Sequence, residues 1–231
     1  MQAIACTNLH IMHIGIVGAG PVAQTIGTAL IQNGHRVLLG SRTASNEKAA
    51  AWLHHNGSSA NLGTFSEAAS FGELLFICLQ ATAAVDVLTA IDPELFRSKV
   101  VIDVTNPLDF SKGMPPSLLP QYSNNHSLGE HMQQTLPQAF VVKALNTVTA
   151  RLMVNALLVN DGNHNLFICG NDKEAKSKVK HLLAENFYWK PELIIDMGGI
   201  ESARLTEAII PFWVGVMQIM GTSLFNYQLV K

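Results

Sequence analysis

The chain has 231 residues, of which 48% are hydrophobic and 14% charged, and its formal net charge is −2. This length suffices for one sizeable core, or for one domain with a smaller appendage. The near-neutral charge gives no reason to expect binding to nucleic acid or to an anionic membrane. The segment from Ala208 to Val230 carries no formal charge, but its continuous apolar part, from Ile209 to Met217, is too short to span a bilayer. The low charge content instead predicts that much surface is buried, as in a homodimer.

The first residues differ from the rest of the chain. They lack the basic and apolar regions of a signal peptide, and a strand pattern begins only at His13. We therefore expect residues 1–11 to be a loose extension and Met12 to lie near the natural start of the fold. Cys6, Cys78 and Cys169 show no C-x-x-C spacing, which predicts reduced thiols in a cytoplasmic protein and neither a disulfide nor a metal site.

Short β-branched runs alternate with helical stretches along the chain. The predicted strands are His13–Val17, Arg36–Gly40, Asn61–Thr64, Glu73–Leu79, Val100–Val104, Phe140–Lys143, His164–Cys169 and Leu193–Asp196. The predicted helices are Pro21–Asn33, Thr43–Asn56, Ala83–Ile91, Leu128–Gln134, Ala150–Leu158, Lys173–Asn186 and Glu201–Tyr227, the last bent or broken at Pro211. Residues 107–125, rich in Pro, Ser and Asn, predict a long loop.

This order indicates the fold class. Fully apolar strands between helices are typical of a parallel sheet that is covered on both faces. The βαβαβ order predicts an α/β fold of the Rossmann type, with a doubly wound, mainly parallel sheet. We assign residues 12–160 to this domain and residues 161–231 to a small C-terminal α/β extension for substrate binding or dimerisation.

A glycine-rich turn follows the first predicted strand. The run Gly18–Ala23 reads Gly-Ala-Gly-Pro-Val-Ala and fits the G-x-G-x-x-A pattern. Gly18 allows a tight turn, Gly20 leaves room for a pyrophosphate, and Ala23 keeps the next helix close to the sheet. The free amides at the start of that helix favour phosphate. The pattern predicts a dinucleotide site that includes Gly18, Ala19, Gly20, Pro21 and Val22.

The end of the second strand indicates which dinucleotide binds. Proteins that bind NAD place Asp or Glu there, whereas this chain has Ser41, Arg42 and Thr43. Arg42 can pair with a 2′-phosphate, and the two hydroxyls can donate hydrogen bonds to it. We therefore predict NADP(H) as the cofactor. The alternative is that Ser41 or Thr43 simply caps the next helix.

Five segments together resemble the coenzyme F420-dependent NADP oxidoreductase family. They are Ile14–Ala23, Val37–Arg42, Asp103–Leu108, Lys143–Thr147 and Met197–Glu207. The chain is also similar to the NADPH domain of transmembrane ferric reductases. The resemblance covers nearly all of the chain from His13 onward, and it implies hydride transfer between NADP(H) and a second redox carrier, F420 or a flavin.

The resemblance also implies roles for individual residues. Gly18 to Val22 would hold the pyrophosphate, and Ser41 and Arg42 the 2′-phosphate. Leu79, Val104 and Ala144, at the carboxyl ends of their strands, would line the nicotinamide, with Asn106 and Asn146 as nearby polar groups. The chain departs from the family pattern at Gln80 and at Val148–Thr149, so the cofactor half matches better than the half that binds the second substrate.

Two other functions remain open at this point. A reductase of small carbonyls or imines would need a proton donor, for which His126 and His131 are the candidates. A non-catalytic NADPH sensor would bind the cofactor without turnover. The sequence identifies no catalytic residue. We expect Arg204 to pair with Glu201 or Glu207, or else to meet an acidic substrate tail.

Overall fold

The computed structural model describes residues 11–230. The expected extension over residues 1–11 and Cys6 therefore lie, except for Ile11, outside the described residues. Met12 is already part of the fold: its backbone N–H donates to Nδ1 of His35 at 3.2 Å, and its side chain packs against the core.

The described strands form one large sheet and one small hairpin. The strands are β1 (His13–Val17), β2 (Arg36–Ser41), β3 (Ala60–Thr64), β4 (Leu74–Ile77), β5 (Val100–Asp103), β6 (Leu108–Asp109), β7 (Ser117–Leu118), β8 (Phe140–Lys143), β9 (Leu166–Gly170) and β10 (Ile194–Asp196). Eight of them are hydrogen-bonded in the order β10-β9-β8-β5-β4-β1-β2-β3. Neighbours are parallel except β8 and β9, so β9 and β10 extend the sheet in the reverse direction.

Helices pack on both faces of this sheet. They are α1 (Pro21–Gln32), α2 (Glu47–Asn56), α3 (Phe65–Phe71), α4 (Ala81–Thr89), α5 (Leu128–Thr135), α6 (Ala150–Met153), α7 (Lys173–Phe187), α8 (Ala203–Ala208) and α9 (Ile210–Met220). Alternate strand residues point to opposite faces: Leu74 and Phe76 belong to one buried cluster, and Leu75 and Ile77 to the other. The predicted Rossmann-type α/β fold is confirmed.

The region from Thr43 to Phe71 corrects two expectations. The second helix begins at Glu47 instead of Thr43, because Oδ1 of Asn46 accepts from the backbone N–H of Lys48 and caps it. Ser41 and Thr43 therefore do not cap it. Helix α3 was not predicted, although Thr64 and Glu67 form a capping box at its start.

Three later segments also differ from expectation. The predicted helix Ala150–Leu158 stops at Met153, because the side chain of Asn155 accepts from the N–H of Leu157 and starts a separate 3₁₀ turn. The expected loop over 107–125 contains the hairpin of β6 and β7. The predicted helix Glu201–Tyr227 is divided into α8 and α9, with Pro211 in the first turn of α9.

The end of that last helix was also predicted wrongly. Gly221, with φ +65°, terminates α9, and residues 221–230 are not helical. Asn165 holds this tail beside β9: its backbone N–H donates to the carbonyl of Tyr227 at 2.9 Å, and its Oδ1 accepts from the N–H of Leu229 at 2.6 Å. These bonds replace the helical ones that the tail would otherwise form.

A buried ion cluster fastens the centre of the sheet to two helices. Nζ of Lys143, at the end of β8, lies 2.8 Å from Oδ2 of Asp103 and 2.7 Å from Oε1 of Glu207, and all three side chains are shielded from solvent. Glu207 also accepts from the N–H groups of Leu128 and Gly129, at the start of α5. The cluster therefore joins β5, β8, α5 and α8, and each of its charges is paired.

Replacing Lys143 by Met should destabilise the protein strongly. Two carboxylates would stay buried without their cation, which costs about 3–5 kcal/mol in the free energy of unfolding. Urea unfolding at neutral pH measures this loss. The matched control is Lys178→Met on the exposed face of α7, which should change the same free energy by less than about 0.5 kcal/mol. Equal losses in the two variants would contradict this account of the cluster.

The stabilising effect of Lys143 should be lost only in strong alkali. Burial alone would lower the pKa of Lys143, but its attraction to Asp103 and Glu207 outweighs burial and raises the pKa above the ordinary value of 10.5. A raised folded-state pKa means that the contribution is complete below the unfolded value and disappears as the pH rises through the folded one. The free energy of unfolding of the wild type should therefore keep this contribution until the pH has passed the ordinary value, as urea unfolding at increasing pH can measure.

Candidate functional site

The glycine turn after β1 brings the chain against β4 and opens a space above α1. Gly18 has φ +135°, and a Cβ on it would lie 2.3 Å from the carbonyl oxygen of Cys78, so only glycine fits there. A Cβ on Gly20 would have no atom of the described part of the chain within 4 Å. Helix α1 begins at the next residue, Pro21, and no side chain within residues 11–230 caps its first turn. The first-turn amides thus face a space that an anion can enter.

A cavity of about 600 Å³, which we call the edge cavity, lies at the carboxyl ends of β1, β4 and β5. The glycine turn, the starts of α1 and α4, and the β6–β7 hairpin surround it. Its lining includes the predicted residues Gly20, Pro21, Val22, Leu79, Val104 and Asn106. Of the other predicted residues, Ala144 is fully buried behind the end of β8, and Gly18 and Ala19 form the turn below the cavity.

A second cavity, of about 370 Å³, lies at the end of β2, and we call it the Arg42 pocket. Ser41 and Arg42 line it together with residues of α3 and α4, among them Asp86. The Ser41 hydroxyl donates to the carbonyl of Thr43 at 2.6 Å, and the Thr43 hydroxyl donates to the carbonyl of Ser45 at 2.9 Å. Both hydroxyl protons are used within the loop, so the exposed Arg42 is the group here that can bind an anion.

A third cavity, of about 350 Å³, lies against the inner face of α9, and we call it the α9 pocket. Its lining residues are Asn106, Leu108, Asn146, Thr147, Val148, Thr149, Ile210, Trp213, Val214, Met217 and Ser223. Asn106 and Leu108 also line the edge cavity, so the two cavities share a wall. The ring of Trp213 stacks on Phe225, with 5.1 Å between centroids and 19° between planes.

The shared wall is built by a pair of asparagines. Nδ2 of Asn106 donates to the backbone carbonyl of Asn146 at 2.8 Å, and Nδ2 of Asn146 donates to Oδ1 of Asn106 at 2.9 Å and to the carbonyl of Thr206 at 2.9 Å. Leu145, just before Asn146, is fully buried with φ +64°, a strained conformation for a leucine. The turn after β8 is thus fixed between β5 and α8.

The titratable groups around these cavities are poorly suited to acid–base or nucleophilic chemistry. Burial raises the pKa of the Cys78 thiol far above its usual range, and burial raises the pKa of Cys169 to about 12. Both thiols are therefore protonated at neutral pH. The backbone N–H of Ser111 donates to Asp109, which lowers the pKa of that carboxyl and keeps it ionised. Asp109 is the carboxylate that lines the edge cavity.

The candidate histidines lie elsewhere. Neither His126 nor His131 lines the edge cavity or the α9 pocket. Nδ1 of His131 lies 2.9 Å from Oη of Tyr122, and Nδ1 of His126 lies 3.8 Å from Oε2 of Glu130. Their neighbourhood is the α5 side of the sheet, where they take part in packing.

Arg204 forms an ion pair, but with a different partner from those expected. Nε of Arg204 donates to Oε2 of Glu130 at 2.8 Å, and its terminal nitrogen pairs with the other oxygen of the same carboxylate. Of the two expected partners, Glu207 is paired with Lys143 in the core, and Glu201 is exposed to solvent. Arg204 is therefore a link between α8 and α5.

Two residues of the α9 pocket were missed by the sequence reasoning. Thr147 belongs to the Ala-Leu-Asn-Thr segment that had been singled out, so its position beside Asn146 was a usable signal. Trp213 lies in an uncharged apolar helix whose pattern indicates only packing. Within residues 11–230, no cluster of three or more metal-ligating side chains occurs. No helix in the same residues has the length and apolar character needed to cross a bilayer.

Known proteins resemble this chain in sequence and in structure. The model of the family described as NADP oxidoreductase, coenzyme F420-dependent, matches residues 13–107. An F420-dependent NADP reductase of Methanocaldococcus jannaschii is 28% identical over 213 residues, which cover 89% of this chain and 92% of that protein. Metalloreductase STEAP3 of Rattus norvegicus is 30% identical over 204 residues, covering 87% of this chain but 37% of that protein.

The structural likeness extends over the whole fold. A candidate F420-dependent NADP reductase of Arthrobacter sp. FB24 has been solved, and its structure superimposes on this one with a TM-score of 0.87. The two chains are 36% identical, and the match covers 95% of this chain and 100% of that one. The present chain spans about two fifths of the metalloreductases that it matches. Sequence and structure agree that the chain belongs to the coenzyme F420-dependent NADP oxidoreductase family and is an NADP-dependent oxidoreductase.

Proposed function

We propose that the protein transfers a hydride between NADP(H) and a second planar redox carrier of the F420 or flavin type. The observation that carries this proposal is the shared wall: the edge cavity at the glycine turn and the α9 pocket meet at Asn106 and Leu108. Two bound rings would meet past the edge of that wall, since a hydride passes only between atoms about 3–3.5 Å apart. Hydride transfer between such rings depends mainly on proximity, alignment and the exclusion of water.

The proposed cofactor site extends from the edge cavity to the Arg42 pocket. The pyrophosphate would lie over Gly18–Val22, where the space beside Gly20 and the free amides of α1 favour it. The 2′-phosphate would pair with Arg42, with Ser41 and Thr43 shaping the loop. The nicotinamide would lie near Leu79 and Val104, with Ala144 behind. In this arrangement Asn106 and Asn146 border the contact between the nicotinamide and the second carrier.

The proposed reaction balances without a catalytic side chain. The C4–H bond of NADPH breaks, and its hydrogen leaves with two electrons to form a new bond on the carrier. A proton from solvent completes the reduced carrier, and NADP⁺ remains. By contrast, a carbonyl or imine reductase needs a proton donor at the site. The ionised Asp109 and the histidines outside the cavities do not supply one, which favours the carrier reaction.

The proposal is tested by mixing the protein with NADPH and, separately, F420, FMN, riboflavin and a quinone. We expect NADPH to be oxidised with at least one of these carriers, and the variants His126→Ala and His131→Ala to react at the wild-type rate. Tight NADPH binding with no turnover would instead identify a sensor. Loss of activity in either histidine variant would favour the carbonyl or imine reductase.

Arg42 should determine the preference for NADPH over NADH. The variant Arg42→Gln removes the cation expected to pair with the 2′-phosphate, and a charged hydrogen bond of this kind contributes about 1.5–3 kcal/mol. The dissociation constant for NADPH should therefore rise about 10- to 100-fold while that for NADH stays unchanged. The control is Arg36→Gln, at the exposed first residue of β2, the strand that Arg42 follows. If Arg42→Gln weakens both cofactors equally, the assignment of the 2′-phosphate is wrong.

We also propose that the chain forms a homodimer through the outer face of α9. This helix carries no charged residue, and Phe212, Ile219 and Met220 are 62%, 88% and 56% exposed. A contiguous apolar surface of this kind is typical of an interface. A second copy fits it best, since self-association explains the low overall charge. We further propose that residues 12–160 bind the cofactor, and that residues 161–231 complete the site of the second carrier and the dimer interface.

The variant Ile219→Glu should convert the dimer to a monomer. A carboxylate in an apolar interface loses its hydration without gaining a partner. Light scattering after size-exclusion chromatography measures the mass in solution. Leu157→Glu introduces the same charge at another exposed aliphatic residue, in the 3₁₀ turn Ala156–Leu158, and should leave the dimer intact. A wild-type protein that is monomeric at high concentration would refute the proposed interface.

A further inference from the structure

The α9 pocket contains three polar atoms whose hydrogen-bonding capacity is unused. Oδ1 of Asn146, Oγ1 of Thr147 and Nε1 of Trp213 are buried, and each lacks a hydrogen-bond partner within the described residues. All three residues line the pocket. Buried polar atoms without partners cost folding free energy, so three of them around one cavity point to a ligand that supplies what they lack.

The hydrogen bonds of Asn146 show which of its atoms is available. Its Nδ2 donates to Oδ1 of Asn106 and to the carbonyl of Thr206, both acceptors. A flipped amide would place an oxygen against these two oxygens, so the free Oδ1 is held as an acceptor. Nε1 of Trp213 can only donate, and Oγ1 of Thr147 can do either. The pocket therefore offers one acceptor, one donor and one group of either kind.

The walls of the pocket suit a flat apolar ring. The indole of Trp213 is held by its stack on Phe225, and Ile210, Val214 and Met217 add aliphatic surface. A volume of about 350 Å³ is at the lower end for sites that enclose a small organic molecule. Aromatic and aliphatic walls with a few polar groups are the usual environment for a planar ring that bears carbonyl or N–H groups.

The lining of the α9 pocket offers no electrostatic attraction to an anionic tail on a ligand. None of the described residues that line it is charged, and the charged residue that lines the adjoining edge cavity is the anion Asp109. The Arg42 pocket, by contrast, has a guanidinium in its lining. Arg204, the cation on neighbouring α8, is already paired with Glu130. An anionic group in the α9 pocket would lose hydration and gain no cation.

We propose that the α9 pocket binds the ring of an uncharged planar carrier without an anionic tail, of the quinone or riboflavin kind. This inference rests on the proposed hydride transfer, because it names the carrier that takes the hydride. The carrier ring gains one hydride from NADPH and one proton from solvent, so that two electrons reduce one quinone or one isoalloxazine. Trp213 and Thr147 determine the specificity for the ring through their hydrogen bonds to its polar groups.

Riboflavin and FMN provide a matched pair of probes, since they share one ring and differ by a phosphate. The dissociation constants of both can be measured with the full chain loaded with NADP⁺, from the fluorescence of the flavin itself. We expect riboflavin to bind at least about threefold more tightly than FMN, and menadione to be reduced by NADPH. Tighter binding of FMN, or reduction of F420 without reduction of menadione or riboflavin, would overturn the inference.

Two conservative variants test the assigned residues. Trp213→Phe keeps the aromatic stack and removes the N–H, and Thr147→Val keeps the shape and removes the hydroxyl. Each should raise the dissociation constant and the KM for riboflavin about five- to tenfold, with an unchanged dissociation constant for NADPH. Thr89→Val, whose hydroxyl donates to the carbonyl of Val85 on the surface of α4, should change neither. An unchanged riboflavin affinity in both pocket variants would refute the assignment.

The failure of this inference differs from the failure of the proposed function. If F420 or FMN is reduced in preference to riboflavin and menadione, the proposed hydride transfer is supported, but the proposal that the carrier is uncharged is wrong. If NADPH binds and no carrier binds or is reduced, both are wrong. Variants that lose NADPH binding as well would show that Trp213 and Thr147 support the fold instead of selecting the ring.

Discussion

The buried contact of Lys143 with Asp103 and Glu207 is the constraint on which the rest of the site depends. Asp103 ends β5, and its free oxygen accepts from the N–H and the hydroxyl of Thr105, which fixes the loop that carries Asn106. Glu207 holds the start of α5 and sets the position of α8. Because all three charges lie in the core, any displacement of one element would leave a buried charge without its partner. The cluster thereby fixes the wall between two cavities without facing either one.

The path from this cluster to the α9 pocket is short. The carbonyl of Thr206, next to Glu207, accepts from the amide of Asn146, and the same amide donates to Asn106. The backbone of Leu145, which precedes Asn146, adopts a left-handed conformation in this turn. Strained backbone of this kind persists only where the surrounding contacts outweigh its cost. Here those contacts are the asparagine pair and the ion cluster, and they leave Oδ1 of Asn146 as an acceptor beside the pocket.

Most of the fold follows from local sequence patterns, and the exceptions have physical reasons. β1 and β8 were predicted to the residue, since each is an apolar run bounded by a polar side chain, His13 or Lys143, at one end. Helix α3 was not predicted, although the spacing of Thr64 and Glu67 fits a capping box, which is a sequence signal for a helix start. The end of α9 and the partner of Arg204 depend on contacts between residues far apart in sequence, with Asn165 and Glu130. The polar atoms without partners in the α9 pocket also result from contacts between residues far apart in sequence, so no sequence motif predicts them.

The two sides of the asparagine wall come mostly from different stretches of the chain. The glycine turn, β2 and the start of α4 precede Asn106, although the edge cavity also includes the β6–β7 hairpin and Met153. The α9 pocket is lined mainly by residues 146–149 and 210–223. Substitutions in the later stretches can therefore accumulate without disturbing the earlier ones, as long as Asn106 and the ion cluster persist. Under the proposed assignment of the two cavities, divergence within the family can exchange one redox partner for another while the nucleotide stays the same. A lineage that changed its metabolism would need to alter a short turn and one helix, and could inherit the remainder of the enzyme unchanged.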